Sequence, residues 1–379
     1  MKILLLGGGL QGLSFGESLW RRGDYELSVV SDEFDISHSR FFTKVYPAAG
    51  QDYADLLERV MQDSFFDVIV PMGDKPASFL SKNKEIIERR YETKCAVPDY
   101  RCFSIAEDKA SFMTFCRENE FPCPKTTRLS IENLELAANE IGFPSLIKPD
   151  FSVGARGITR VDSLEELLFH YPVVSGKYGA CTLQEYIDNP DYYYNVMLYR
   201  DRSGDMSHYA VIKIVRMYPV KGGSSSCCIS VENAELVDLC RNVLEKLGWV
   251  GMADFDVLQR LDTKEYKIIE INPRVPASLR AAYVSGVNFP EIIVSDALGI
   301  LPSKQVYTPG MTLRYFGIDL MWLAKSPRRF KEFFSWLHFF GKKVFYQDII
   351  WSDPSTWHSW LIVGIKKIGR RNIVIRNNQ

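Results

Sequence analysis

The apolar positions of this chain come in short runs whose period changes from segment to segment, and that alternation predicts strands and helices in turn. Ile3–Leu6 is an unbroken apolar run of buried-strand type, followed at once by glycines and a helical pattern over about Gln11–Arg22. Leu27–Val30 and Phe66–Pro71 read as further strands, with helices at Tyr53–Gln62 and Ala77–Arg89 between and after them. Strands that alternate with helices in this way predict a parallel α/β sheet over the first hundred residues. From about residue 120 the pattern becomes hairpin-like. A strand ending at Pro149 runs into a glycine-containing loop and returns through Ile158–Val161, and a second hairpin joins Tyr194–Arg200 to Tyr209–Arg216. Glu235–Leu247 places Leu236, Cys240, Val243, Leu244 and Leu247 on one helical face and stops at Gly248. Two strands, Ala253–Val257 and Tyr266–Asn272, follow it around a turn.

Three polar constellations stand on this framework. Glu270 and Asn272 lie two apart and so share a strand face, with Asp256 placed to stand beside Glu270 if the strands pair; Asp254 shares the Asp256 face. Pro273 ends the ladder and Arg274 follows it. Hard oxygen ligands suit Mg²⁺, and a guanidinium beside them suits a phosphate or carboxylate. The second constellation is Lys148 at a strand end, followed by Ser152, Gly154, Arg156 and Gly157 in a loop whose backbone can approach phosphate oxygens. It lacks the G-K-[ST] ending of a Walker loop. The third is Gly7-Gly8-Gly9-Leu10-Gln11-Gly12 with Asp32 downstream, which matches a dinucleotide fingerprint and makes a nicotinamide-dependent oxidoreductase the rival from another class. Asp74, at a strand's carboxyl end, is expected to cap the next helix.

The run Glu270-Ile271-Asn272-Pro273-Arg274 resembles the metal strand of ATP-grasp enzymes, and Val275 with Gly286-Val287-Asn288-Phe289-Pro290 is similar to the large subunit of carbamoyl-phosphate synthetase. The resemblance implies a Rossmann-like domain over 1–100, a small lobe over 101–180, a large lobe over 181–302 and a carboxyl-terminal extension over 303–379. It implies Asp256, Glu270 and Asn272 as ligands of Mg²⁺ or Mn²⁺, and Lys109 and Lys148 on ATP phosphates. Gln184, Glu185, Tyr186 and Ile187 would form the adenine hinge, and Asp191 would hold the ribose in place of the more usual glutamate. Arg274 and Lys148 would serve catalysis. The activity implied is that of a carboxylate–amine ligase forming an acyl phosphate and releasing ADP and phosphate. The variant within the same superfamily phosphorylates bicarbonate, and a third reading is nucleotide binding without turnover.

Composition narrows the setting. With 46% hydrophobic residues, 25% charged and a net charge of −1, the 379 residues read as a globular protein of several domains that does not bind nucleic acid in bulk. Eight cysteines without a paired spacing fit a reducing, cytoplasmic compartment, and no apolar run approaches the roughly 20 residues that span a bilayer. Lys213 and Arg216, three apart on a strand, are expected on opposite faces; Lys221–Ser226 reads as a mobile polar loop, which the resemblance would place beside the substrate and the residues alone equally make a plain connection. Past Pro302 the resemblance fades, so these residues read as an appendage whose removal spares the grasp. Helices beginning at Ser326-Pro327 and Asp353-Pro354 carry aromatic faces edged by Lys and Arg. They are expected to pack on the grasp or on a second subunit of a homodimer, with an anionic membrane surface as the alternative partner.

Overall fold

The computed structural model describes residues 1–151, 156–189, 191–220 and 223–355. Three sheets organise it. The first is all-parallel, in the order Lys44–Tyr46, Glu26–Val30, Lys2–Leu6, Val68–Pro71, Lys94–Cys95. Its central strand explains the unbroken apolar run at the amino terminus. Ile3 and Leu5 face the helix Gly9–Arg22, while Leu4 and Leu6 face Leu56, Leu57 and Leu80 on the other side.

The second sheet has four antiparallel strands, ordered Thr126–Arg128, Cys181–Glu185, Ser145–Pro149, Thr159–Val161. The helices Leu134–Ile141 and Leu164–Tyr178 cover one face of it. Cys181–Glu185 is an inner strand here, so the lobe division expected at residue 180 falls just before a strand of this sheet rather than after it.

The third sheet has seven strands. It runs Tyr266–Asn272, Gly251–Gln259, Tyr193–Arg200, His208–Tyr218, Ser224–Ser230, Thr312–Arg314, Val344–Tyr346. Its Val196, Leu198, Phe255, Val257 and Ile268 face pack on the helices Ala234–Leu247 and Lys109–Glu118. The opposite face, with Met197, Tyr199, Ile212 and Ile214, shares a core with the helix Gly9–Arg22 and with Leu279, Phe289 and Ile293. The first and third sheets are thereby fused through common helices.

Several local expectations change. Ser224–Ser230 is a strand, not a loop, because it pairs on both sides, with His208–Tyr218 and with Thr312–Arg314. A bulge between Ile214 and Arg216 reverses the parity expected for Lys213 and Arg216. Lys213 lies opposite Ile229 and Arg216 opposite Cys227, which share a face, so both side chains point the same way. Neither sits with the candidate metal residues. Lys213 Nζ lies 3.7 Å from the Tyr192 ring centroid, and Arg216 Nε donates to Asp319 at 2.9 Å.

The residues beyond Pro302 are no appendage. Thr312–Arg314 and Val344–Tyr346 are strands of the third sheet, and Asp319, on the helix Phe316–Lys325, sits fully buried between Arg216 and Arg314. Where a helix is expected to start, at Ser326-Pro327, one instead ends: Ser326 is the carboxyl-terminal cap of Phe316–Lys325, and among the described residues only the short helix Phe333–Trp336 follows. Of the aromatic stripe expected to pack, Trp336 is buried, but Phe330, Phe333, Phe334, Leu337 and Phe340 are exposed; Trp322, on the preceding helix, is buried as well. The helix expected from Asp353-Pro354 falls almost wholly outside the described residues.

Two buried guanidiniums sharing one carboxylate make Asp319 the least replaceable charge of the fold. Asp319→Ala leaves both uncompensated and is expected to cost about 3–5 kcal/mol in urea denaturation. Glu58→Ala, which removes the exposed partner of Arg90, should change stability by less than about 1 kcal/mol.

Candidate active site

The two strands carrying the acidic residues pair antiparallel, Asp254 opposite Asn272 and Asp256 opposite Glu270. The pairing then slips, Val257 standing opposite Ile268, so Ile269 is the extra residue of a bulge. The slip lets Ile268 and Ile271 both reach the apolar core while Glu270 and Asn272 stay on the opposite face with Asp254 and Asp256. Asn195, across from Asp256 on the neighbouring strand, donates its side-chain amide to the Asp256 carboxylate.

Cations arrive from other elements. Asp108 caps the helix Lys109–Glu118 by accepting from the Ala110 and Ser111 amides, which fixes Lys109 at the first turn with Nζ 3.8 Å from Glu270 Oε2. Lys148, only 5% exposed, donates to Gln184 Oε1 at 3.0 Å, and Gln184 in turn donates to Thr126 Oγ1 at 3.0 Å. Three strands of the four-stranded sheet therefore orient one ammonium. Arg274 donates through Nε to Asp74 at 2.8 Å and through a terminal nitrogen to Asn272 Oδ1 at 3.2 Å. Asp74 is thus no helix cap, Gly73 holding that position without a side-chain bond, but the first sheet's contact with Arg274.

These charges perturb one another as neighbours must. Burial pushes the Lys148 ammonium down, opposed by Glu270 and Asp256 and reinforced by Lys109. Desolvation in the crevice would raise Glu270, but Lys109 and Lys148 hold its carboxyl below the usual range. Burial, then the charge of Glu270, pushes Asp256 well up. Burial also carries Asp254 up to about 7, with Arg274 opposing, and Asp254 Oδ1 has no hydrogen-bond partner among the described residues.

Asp256 and Glu270 confronting each other, with Asn272 beside them, fit a divalent cation. Among the described residues no three of His, Cys, Asp and Glu converge as a protein-only cage. Mg²⁺ does not need one, since it keeps waters and takes phosphate oxygens beside one or two carboxylates.

The remaining expected residues sort clearly. Gly157 takes φ +79° where the hairpin returns, and a Cβ there would meet Tyr178 at 2.7 Å and Pro149 at 2.9 Å. Arg156 is exposed, while Ser152 and Gly154 lie outside the described residues. The Glu185 carboxylate is occupied by the Arg260 guanidinium and by the Lys125 amide, and the Glu185 and Tyr186 amides donate to Lys125 O and Pro144 O. Ile187 is buried. Asp191 is paired with Arg328 at 2.8 Å rather than open to a ribose. That partner was not readable from sequence, because 137 residues separate the two.

The glycine-rich turn after the first strand is filled by the protein itself. Gly9 N–H donates to Glu33 Oε2 at 2.7 Å, and both Asp32 oxygens accept from the amides of Ala48 and Ala49. A carboxylate thus occupies the glycine turn in this structure, and both oxygens of the candidate ribose acid are engaged by a loop.

Comparison with known proteins agrees with this geometry. A family profile described as "ATP-grasp in the biosynthetic pathway with Ter operon" matches residues 201–317. The N-terminal section of the carbamoyl phosphate synthase large chain from Methanopyrus kandleri is 26% identical over 206 residues, 52% of this chain and 36% of that protein. The chain thus spans about a third of the length of that curated relative. Among solved structures, the biotin carboxylase domain dimer of Hydrogenobacter thermophilus 2-oxoglutarate carboxylase, in complex with MgADP and bicarbonate, is similar with a TM-score of 0.68 at 17% identity, covering 82% of this chain and 73% of that one. An L-amino acid ligase from Bacillus licheniformis gives 0.62 at 14% identity, covering 81% and 75%. The fold is that of these solved structures, residues 201–317 match an ATP-grasp profile, and the chain is similar to the carbamoyl phosphate synthase large chain.

One carboxylate at the edge of the site gives a pH prediction. Asp150, fully buried behind Lys148, lies 3.2 Å from Arg128 Nε, and burial pushes its carboxyl up to about 6 against the opposing Arg128 charge. A folded value above the unfolded value of about 3.9 means that the proton favours the fold. That stability is present at low pH and lost as pH rises through about 6. Asp150→Asn should therefore melt a few degrees above the parent protein at pH 7.5, the gain vanishing near pH 4. A lower melting temperature at pH 7.5 would show that the Arg128 pair outweighs burial.

Proposed function

We propose that the protein is an ATP-dependent, ADP-forming ligase that phosphorylates a carboxylate and transfers the acyl group to an amine. The observation that carries this reading is the meeting of Lys109 and Lys148 with Glu270 and Asp256, four ionisable side chains brought together from four elements. A nucleotide triphosphate with its metal supplies the missing partners of both signs. In this reading the first sheet is the Rossmann-like domain that precedes the grasp. The four-stranded sheet is the small lobe, and the seven-stranded sheet is the large one.

Asp256, Glu270 and Asn272 would hold Mg²⁺, which when bound draws the β- and γ-phosphate oxygens together and offsets their charge. Lys109 and Lys148 would offset the charge of the same phosphates, with Gln184 holding the Lys148 ammonium in place. With the Glu185 and Tyr186 amides committed to the small lobe, reading of the purine edge falls to the Ile187 amide. Engagement of the ribose by Asp191 requires exchange with Arg328.

The reaction then needs no protein nucleophile. A carboxylate oxygen of the substrate attacks the γ-phosphorus as the bond to ADP breaks. An amine nitrogen next attacks the acyl carbon, phosphate departs with the bonding electrons, and the amine gives up a proton. Arg274, braced by Asp74, lies where it can steady the anionic acyl phosphate. Its bracing residue comes from the first sheet, so that domain sets the arginine's position as well as walling the site.

Bicarbonate as the acceptor is the second reading, favoured by the similarity to carbamoyl phosphate synthase. Phosphate release measured with Mg-ATP and a panel of carboxylates and amines separates the two. The ligase requires both substrates and is indifferent to carbon dioxide removal, whereas the bicarbonate enzyme loses turnover in depleted buffer. Under either reading Glu270→Ala should lower Mg²⁺-dependent ADP release by about 10²-fold or more, with a circular dichroism spectrum like the parent's. Undiminished release would remove Glu270 from the site.

A further inference from the structure

The carboxyl-terminal segment divides its aromatic residues between two environments. Trp322 and Trp336 are buried against Arg216 and Arg314, but Phe330, Phe334, Leu337 and Phe340 stand open to solvent, Phe334 and Phe340 at 85% and 87% exposure. Leu320, Met321 and Phe333 are exposed as well. A core needs none of these side chains where they stand, and so many within about twenty residues exceeds the scattered exposure usual on a globular surface.

The charges among them have one sign. Lys325, Lys331, Lys342 and Lys343 are exposed between residues 320 and 343, and Arg329 lies over the Phe330 ring at 4.9 Å. The one acid of that stretch, Glu332, is half-buried and paired with Arg328 at 3.3 Å. We propose that this face docks on an anionic lipid surface, its phenylalanine rings entering the interface and its lysines meeting the headgroups. The reading is independent of which substrates the active site takes.

Complementarity excludes the nearer occupants. A second copy presenting the same face would set lysine against lysine. Residues 356–379 of this chain carry Lys366, Lys367, Arg370, Arg371 and Arg376 and no acid, so they add charge of the same sign instead of neutralising it. An anionic surface that also accepts apolar rings satisfies both features. Among the described residues no helix is long and apolar enough to cross a bilayer.

The test uses the full chain and vesicles of phosphatidylcholine with or without 30% phosphatidylserine, read by co-sedimentation. The parent protein should bind the anionic vesicles, release them at about 0.5 M salt and ignore the neutral ones. Phe330→Ser, Phe334→Ser and Phe340→Ser combined should weaken binding at least tenfold while leaving melting temperature and phosphate release in solution unchanged, since these side chains are about four-fifths or more exposed. Absence of binding by the parent overturns the proposal, as does binding that the triple substitution leaves intact. A parent oligomer that the substitution dissociates, with no vesicle binding, also overturns it by making the face a contact between copies.

Discussion

The structure depends on holding charge of both signs in one crevice between two sheets. Glu270 and Asp256 are fixed by a strand pair, Lys148 by the small sheet, and Lys109 by a helix start. Each would be costly alone in that setting, since desolvation opposes every charged form there. They are tolerable together because each stands in the field of an opposite charge. The mutual perturbation shows in the lowered Glu270 and raised Asp256, which move apart although both are carboxylates in the same crevice. Such an arrangement stabilises the fold poorly and suits a polyanion with its cation well.

Much of the surrounding architecture serves to keep that crevice in register. Glu185 and Arg260 tie the small sheet to the turn between the two acidic strands. Arg128 joins Asp108, the cap beneath Lys109, to the buried Asp150 just past the strand that carries Lys148. Asp74 braces Arg274 from a third unit. Every cation proposed to meet phosphate is therefore positioned by a partner outside its own element, which is what positional catalysis without a covalent nucleophile requires.

The legible part of the site was the part written in local spacing. Glu270 and Asn272 share a face because they are two apart on a strand, and Lys148 ends a strand that a glycine loop must follow. The parallel sheet was equally readable, since its central strand is apolar on both faces. What escaped were contacts whose meaning depends on a distant segment. Asp74 sits where a cap belongs, and only the folded chain brings Arg274 to it across 200 positions. The bulge at Ile214–Arg216 reverses side-chain parity without any glycine or proline to announce it. The glycine fingerprint is ambiguous for the same reason: its pattern is local, while the Glu33 carboxylate that meets Gly9 comes from the turn after the second strand.

The carboxyl-terminal residues show how far a resemblance can stop short of a structural boundary. Likeness to the carbamoyl-phosphate synthetase motifs ends near Pro302, yet Thr312–Arg314 extends the same sheet, and Asp319 lies between two buried arginines. Cutting the chain at Pro302 would bare the edge of Ser224–Ser230 and leave Arg216 buried without its carboxylate. Arg328, from the same segment, reaches Asp191 and the Val215 carbonyl. A segment that supplies sheet edge, counter-charge and this contact is part of the same folded unit as the seven-stranded sheet. Its outer aromatic face can then carry a second role only because its inner face is already anchored.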